Sequence, residues 1–441
     1  MLLLINPWIY DFAAYDMWMM PLGLLHTGYL LKKQGFEVKL IDLIDINYDR
    51  NIFRVKRKET GEGNLPYKEV EKPILLKDIQ RRYKRYGIPE EIFIRELESL
   101  PETPEAIFVT SKMTYWYPGV VKTISILKKY FPETKIVLGG TYAKLLPEHA
   151  RKYSGADIVI SDEKSENNHI LGSLLKRGIK IFENISSLMS YEIDLDLLLK
   201  VHFLPLLSTT GCPFNCTYCA SKKLFPFFHS FSPERVVEQL LLWNEKYGVR
   251  DVTIFDDAFL VNCTNAKKIL NTLAKSGKEF RIHSPNALHP RYIDGEMAEI
   301  MKISGFYTIR LGLESIDEQF QIKSGNKVSN RDFLNAVKNL HQQGFKPEEI
   351  GVYIMAGLPF QKKEDVLKTV KFVIDAGAKP KVVEYSPVPG TEMFEIAKRC
   401  SPFNLDEPLF HNNTILPCRW SGFTYDDLNE IKIFAKTKFN P

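Results

Sequence analysis

The chain has 441 residues, 44% of them apolar and 26% charged, with a formal net charge of +5. That composition suits two or three folded domains at this length, and so weak a charge does not point to nucleic acid. Six cysteines in so long a chain make no disulfide scaffold, and no stretch approaches the roughly 20 continuous apolar residues of a membrane span.

Apolar strands alternate with amphipathic helices from the start, the pattern of a doubly wound parallel sheet in an α/β protein. Residues 1–5 are apolar but lack a basic lead and are interrupted by Asn6-Pro7, so they read as a buried strand and not as a signal peptide. Residues 21–35 read as a helix with proline at its start and glycine at its stop. Further strands are expected at 37–43, 106–111, 135–140 and 156–161, with helices at 117–130 and 142–153. Residues 1–165 are therefore a Rossmann-like domain. The loop after its first strand has no Gly-x-Gly-x-x-Gly and so no pyrophosphate site. It carries Trp8, Met17, Trp18, Met19 and Met20, which either face a large flat apolar ligand or pack on the second domain. Residues 45–104 are an insertion. Between Arg50 and Tyr86 it holds twelve Lys or Arg against five Glu or Asp. A solvated helical face accounts for this run, and a dock for an acidic electron donor or a phosphate-bearing substrate is the sharper reading.

After a linker at 166–200 the alternation becomes regular. Strands are expected at 203–210, 251–255, 280–284, 307–311, 351–355 and 381–385, with helices at 233–247, 264–276, 293–303, 331–343 and 363–376. Ser232-Pro233-Glu234 supplies an N-cap, a first-turn proline and a first-turn acid. Six βα units make a partial (β/α)6 barrel of the TIM type over 201–395, whose functional residues belong on the loops at the strands' carboxyl ends. Each strand is indeed followed by a polar station. In order these are the cysteine loop, Asp256-Asp257, Pro285-Asn286, Gly312-Leu313-Glu314-Ser315, Gly357-Leu358-Pro359, and Ser386 to Thr391. The first contains Cys212, Cys216 and Cys219 as C-x3-C-x2-C with no fourth cysteine nearby. Three thiolates hold three irons of a [4Fe–4S] cluster and leave the fourth for another ligand. Cys263, Cys400 and Cys418 lack cluster spacing and read as small buried hydrophobes. The tail, 396–441, includes Pro417-Cys418-Arg419-Trp420 and a final amphipathic helix, and is placed to cover the barrel opening.

The cysteine loop and the stations around it, over roughly residues 200–395, resemble the radical S-adenosylmethionine (SAM) superfamily. Pro21-Leu22-Gly23-Leu24-Leu25 and Val137-Leu138-Gly139-Gly140 resemble the cobalamin-binding-type domain that precedes many such barrels. The resemblance implies a [4Fe–4S] cluster on Cys212, Cys216 and Cys219. Reductive cleavage of SAM would yield a 5′-deoxyadenosyl radical that takes hydrogen from a substrate carbon. It further implies that Tyr218 lies near the adenine, and that Asp256 and Asp257 stand in the place of a Gly-Gly-Glu segment holding the SAM amino group. His283, Ser284 or Asn286 would approach the ribose. Glu314 is a SAM-side polar group, Lys327 pairs with the SAM carboxylate, and Ser386 closes the far side. The chain departs from the cobalamin pattern in lacking the Asp-x-His-x-x-Gly loop, and His26 reads as a packing residue within a helix. Cobalamin therefore stands as an optional third cofactor, with methyl transfer as the step it would add. A methylthiotransferase is disfavoured because residues 1–200 contain no cysteine. A non-catalytic iron–sulfur electron carrier or sensor would not need six polar stations. The resemblance also implies a cytoplasmic, reducing setting, an acidic flavodoxin- or ferredoxin-type electron donor, and a small-molecule or lipid-like substrate, with no nucleic acid.

Overall fold

Leu2, Leu3, Leu4 and Ile5 are completely buried, as an unbroken apolar run must be in a parallel sheet covered on both faces. They belong to β1 (Leu2–Asn6), which is followed by β2 (Val38–Asp42), β3 (Ala106–Val109), β4 (Lys135–Leu138) and β5 (Ile158–Val159). The computed structural model describes residues 1–48, 55–162, 166–175, 179 and 191–439, which divide into two units, Met1–Val201 and His202–Pro441. Much of the 166–200 span expected as a linker lies outside the described residues. What is described there includes a helix, Glu166–Leu174, and a turn, Leu195–Leu197.

In the first unit all strand pairs of the main sheet are parallel, in the order β5-β4-β3-β1-β2. The chain moves outward from β1 to β2 and then returns to β3 on the other side, so the topological switch point lies between β1 and β3. The expected helix over 142–153 is two, Thr141–Leu145 and Pro147–Tyr153. Leu146, the residue before a proline, is held out of the helical region at φ −133°.

The insertion departs from expectation. Among the described residues its basic run is not a helical face: Lys84–Tyr86 is the central strand of a small antiparallel sheet, between Ile9–Asp11 and Tyr67–Glu69. Arg85 is buried, its guanidinium 4.8 Å from the Trp8 ring centre, and Lys84 lies 4.1 Å over Tyr67. Cation–π contacts thus absorb part of the charge that the composition left unplaced. The loop after β1 differs too. Trp8 donates to Ile88 O and Trp18 to Thr60 O, each at 2.7 Å, so both tryptophans are core residues of their own unit.

The second unit is built on β6 (Leu204–Leu206), β7 (Asp251–Ile254), β8 (Arg281–His283), β9 (Phe306–Glu314), β10 (Ile350–Ala356) and β11 (Lys379–Glu384). These strands are parallel and adjacent in chain order. The intervening helices are Pro233–Tyr247, Cys263–Lys275, Gly295–Ile303, Asn330–Gln342 and Lys363–Asp375. Side chains cap the first four: Ser232, Asn262, Asp294 and Ser329 each accept from a first-turn N–H, and Ser329 forms a capping box with Asp332. The strand expected over 203–210 breaks after Leu206. Thr209–Thr210 instead pairs antiparallel with His229–Ser230, and the cysteine loop is the connection between them. The final helix is Tyr425–Lys438. It lies against the helix Lys363–Asp375 and the edge strand β11, tied by Lys363 to Asp427 and Lys432 to Glu384, where it shields an edge open to pairing. Among the described residues no helix is long and apolar enough to cross a membrane.

Candidate functional site

Gly211 turns the chain into the cysteine loop at φ +71°, and a Cβ there would sit 2.6 Å from Phe227 O. Only glycine meets both demands. The loop is then held from two sides. Thr217 N–H donates to Ser324 O at 3.3 Å and Thr217 O accepts from Met393 N–H at 2.8 Å. Gly325, at φ +113°, packs so closely that a Cβ would lie 3.0 Å from the backbone of Asn215 and Cys216. The station after β9 and the helix after β11 thereby meet the station after β6.

Cys212 and Cys216 are half-buried and Cys219 is exposed, all as free thiols. Burial pushes the Cys212 thiol up to about 11, and the charges of Cys216 and Cys219 add to the effect. The three sulfurs are therefore close enough to repel one another once ionised. A cubane takes one thiolate on each of three irons, and three free cysteines on one loop are the donors it needs. Metal would replace the protons and remove the repulsion, so the donor set fits a [4Fe–4S] cluster.

Beside these thiols stands a buried ion pair. Glu314 ends β9 at φ +62°, after a register shift between Gly312 and Glu314. Bulge and left-handed backbone together re-aim the carboxylate. Its Oε1 lies 2.8 Å from Lys327 Nζ, with side-chain exposures of 9% and 15%. Its Oε2 is buried with no hydrogen-bond partner. Burial pulls the Lys327 ammonium down, but Glu314 and the sulfurs of Cys216 and Cys219 outweigh it and the net shift is upward. Gly312 leaves room above the pair, for a Cβ there would meet Lys327 Nζ at 3.1 Å. Tyr218 lies flat on Phe320, ring centres 6.3 Å apart, and Lys327 Nζ is 5.7 Å from the Tyr218 ring centre.

The structure therefore gathers Tyr218, Glu314 and Lys327 around Cys216 and Cys219. Asp257 joins from the other side, accepting from Ser221 Oγ while Ser221 N–H donates to Cys219 Sγ. The other expected residues are differently engaged. Asp256 accepts from Ser208 N–H, Ser208 Oγ and Thr209 Oγ1, and burial raises it to about 6 despite those donors. Asn286 Nδ2 bridges Phe255 O and Asp256 O. Ser284 Oγ donates to Thr308 O and accepts from Arg310 N–H, and Ser386 Oγ donates to His411 O. His283 is completely buried against Asp251 and Thr308. Sequence reasoning missed His289. Its ring stacks on Phe214 of the cysteine loop at 5.1 Å, its Nδ1 is buried with no hydrogen-bond partner, and burial beside Lys327 drives its pKa to about 3. It lies three residues past Asn286 in the same station, which was the signal available.

In the first unit the carboxyl ends of β3 and β4 form a small-residue notch. Ser111 Oγ donates to Gly139 O at 2.6 Å. Gly140, at φ +90°, has no space for a Cβ, which would sit 2.3 Å from Ser111 O, whereas a Cβ on Gly139 would meet nothing within 4 Å. Met17 and Met113, in the loops after β1 and β3, are exposed on either side of the switch point. A ligand with a large apolar face fits such a cradle. His26 has no part in it: its Nδ1 is 2.6 Å from Glu192 O and its ring stacks on Tyr191.

Residues 206–373 match the Radical SAM superfamily. The chain is 23% identical to the uncharacterized methyltransferase PH0819 of Pyrococcus horikoshii over 392 residues, 80% of each chain. It shares its fold with TsrM of Kitasatospora setae, a radical SAM methyltransferase seen with tryptophan and a SAM analogue (TM-score 0.64, 16% identity, 90% of this chain and 76% of that one). TsrM has also been seen with cobalamin and a [4Fe–4S] cluster. The cobalamin-dependent SAM radical enzyme OxsB likewise shares the fold (TM-score 0.57, 14% identity, 100% of this chain and 62% of that one). With three thiols grouped on the first barrel loop and this match across residues 206–373, the second unit carries a radical SAM domain, and the chain as a whole shares the fold of TsrM and OxsB, both of which have been seen with cobalamin bound.

Proposed function

We propose that the chain is a cobalamin-using radical SAM methyltransferase, in which Cys212, Cys216 and Cys219 hold the cluster and Glu314 and Lys327 hold the amino acid end of SAM. When bound, the cluster supplies the electron that splits SAM into methionine and a hydrogen-abstracting 5′-deoxyadenosyl radical, and cobalamin supplies a methyl carrier. The observation that carries the reading is the orphaned Glu314 Oε2. A buried carboxylate oxygen with no donor is costly, and an ammonium beside the thiols satisfies it. Lys327, already facing Cys216 and Cys219, offers the matching charge for a carboxylate. Tyr218, stacked on Phe320, gives a flat face for adenine. His289 stays neutral beside Lys327 and so adds no charge against the sulfonium. Methyl transfer is favoured by the methyltransferase relatives and by the Gly139 notch.

The exposed lysines Lys222 and Lys223, just after Cys219, with Phe227 at 83% exposure, support an acidic flavodoxin- or ferredoxin-type protein as the electron source in a reducing compartment such as the cytoplasm. Anaerobically reconstituted protein with SAM, cobalamin and dithionite should yield 5′-deoxyadenosine, and also S-adenosylhomocysteine, the residue of SAM after methyl donation. Glu314→Gln should weaken SAM binding about tenfold or more, since it removes a charge-assisted contact of roughly 1.5–3 kcal/mol. An intact cluster that forms neither product, or wild-type SAM affinity in Glu314→Gln, refutes the assignment.

A further inference from the structure

Leu288 runs beside β9 as a short parallel extension of the barrel sheet. Its N–H donates to Arg310 O at 2.7 Å, and its carbonyl accepts from Gly312 N–H at 3.1 Å. That pairing brings the station after β8 against the Glu314–Lys327 pair: a Cβ on Gly312 would lie 3.1 Å from Ala287 Cβ and 3.1 Å from Lys327 Nζ. His289 comes next, and Pro290 then opens the turn Pro290–Tyr292, so the backbone is fixed on both sides of the histidine. Its side chain reaches the cysteine loop. The ring lies on Phe214, which sits between Cys212 and Cys216 in the chain, with centres 5.1 Å apart and planes 20° from parallel. Arg291 and Tyr292 close on the same phenyl ring, at 6.0 and 6.5 Å. Stacking accounts for the ring but not for its nitrogens, because a phenylalanine at 289 would stack as well. His289 is 6% exposed, and its Nδ1 is buried with no hydrogen-bond partner. Such an atom is costly to leave unsatisfied. The ring is neutral beside Lys327 and Arg291, so one of its nitrogens carries a proton and can donate it.

We propose that His289 Nδ1–H donates to a sulfur of the [4Fe–4S] cluster on Cys212, Cys216 and Cys219 and so raises its reduction potential, a role that rests on the cluster assignment already proposed. A cluster on three thiolates carries net negative charge, and its sulfurs accept hydrogen bonds. Each such bond favours the reduced, more negative state over the oxidised one. Glu314 and Lys327 already supply the acceptor and the donor for the two charged ends of SAM's amino acid. The His289 ring lies on the cysteine loop itself, which favours the cluster as its partner.

Two substitutions separate the ring from its nitrogen. His289→Phe keeps a flat face for Phe214 and removes both nitrogens, while His289→Asn gives up the stack and keeps an amide N–H near the place of Nδ1. Full-length wild type and both variants are reconstituted anaerobically, and the cluster's midpoint potential is read by EPR-monitored titration without SAM. Iron content, the melting temperature of the metal-free protein and SAM affinity are measured alongside. His289→Phe should carry wild-type iron, bind SAM as wild type does, and melt no lower than wild type. Its midpoint should fall by about 59 mV or more, roughly tenfold in a one-electron equilibrium. His289→Asn should recover part of that fall. An unmoved midpoint in His289→Phe with the cluster intact overturns the proposal. Lost SAM affinity at an unmoved midpoint also overturns it and assigns the nitrogen to SAM. A His289→Phe protein that loads no iron overturns it as well, since the stack is kept and the histidine's role is then structural. Wild-type protein that loads no cubane would sink the cluster assignment and this role with it, a result distinct from an intact cluster whose potential does not move.

Discussion

Lys327→Met removes the cation from a pair whose two side chains are 9% and 15% exposed. Glu314 is then left as a buried carboxylate, and its second oxygen has no other donor to fall back on. Breaking a buried pair from one side costs about 3–5 kcal/mol, because the stranded charge keeps its desolvation penalty. The second unit runs from His202 to Pro441, a size for which each kcal/mol moves the melting temperature by roughly 2–4 °C. Lys327→Met should therefore lower the melting temperature of the metal-free, SAM-free protein by roughly 6–20 °C, read by circular dichroism under anaerobic conditions. Adding Glu314→Gln to it should recover most of the loss, since a neutral amide costs about 1–3 kcal/mol to bury unpaired. The pH dependence has a definite sign. The ammonium is raised in the folded protein, so the pair's contribution is full below the unfolded lysine value of about 10.4 and fades only as pH climbs through the folded one. The gap between wild type and variant should then be constant from neutral to mildly alkaline pH. A melting temperature within about 2 °C of wild type, or a double variant no better than the single one, would show that the pair is not preformed and dry, and the SAM assignment of Glu314 would lose its footing.

Cys216→Ala should bring iron content and cluster absorbance close to zero, because two thiolates cannot hold a cubane that needs three; retention of most of the iron would mean that other ligands serve. Gly325→Ala, at φ +113° with a Cβ 3.0 Å from the Asn215 and Cys216 backbone, should cost about 2 kcal/mol or more and reduce iron per chain. Wild-type iron and melting temperature would show that this turn does not support the cysteine loop. Asp42 is pushed up by burial, with Asp45 adding to it, from 3.8 to about 7. A raised carboxyl is most favourable below its unfolded value and costs stability as pH rises toward the folded one. Asp42→Asn keeps an oxygen for Asn6 and the Ile44 N–H, so it should match wild type near pH 4 and exceed it by roughly 3–4 kcal/mol at pH 8 in urea unfolding. Equal stability at pH 8 would contradict the burial argument.

Periodicity made the scaffold legible. The six barrel strands and their helices follow from apolar alternation, with Ser232-Pro233-Glu234 marking a helix start, each a local signal. The stations were legible for a related reason, since a barrel puts every strand's carboxyl end at one mouth. Features that depend on tertiary contact were not legible. The basic run in the insertion has helix-compatible composition, but Lys84–Tyr86 is a strand because Tyr86 and Arg85 pack against residues from the loop after β1, some 75 positions away.

The limit is sharpest for two carboxylates, Asp256 and Glu314. Both follow a barrel strand, both are buried, and nothing in their neighbouring residues ranks one above the other. The Ser208 backbone, Ser208 Oγ and Thr209 Oγ1 converge on Asp256, so its charge is absorbed in tying β6 to β7. Glu314 is turned by its positive φ away from the amides of its own strand and reaches a single lysine, leaving one oxygen with no donor. A buried acid with all its donors present is a brace, and one with a donor missing is a binding group awaiting a cation. Which of these a carboxylate becomes depends on a backbone torsion and on residues distant in the chain, so the ligand-binding acid is recognised by what its surroundings fail to supply.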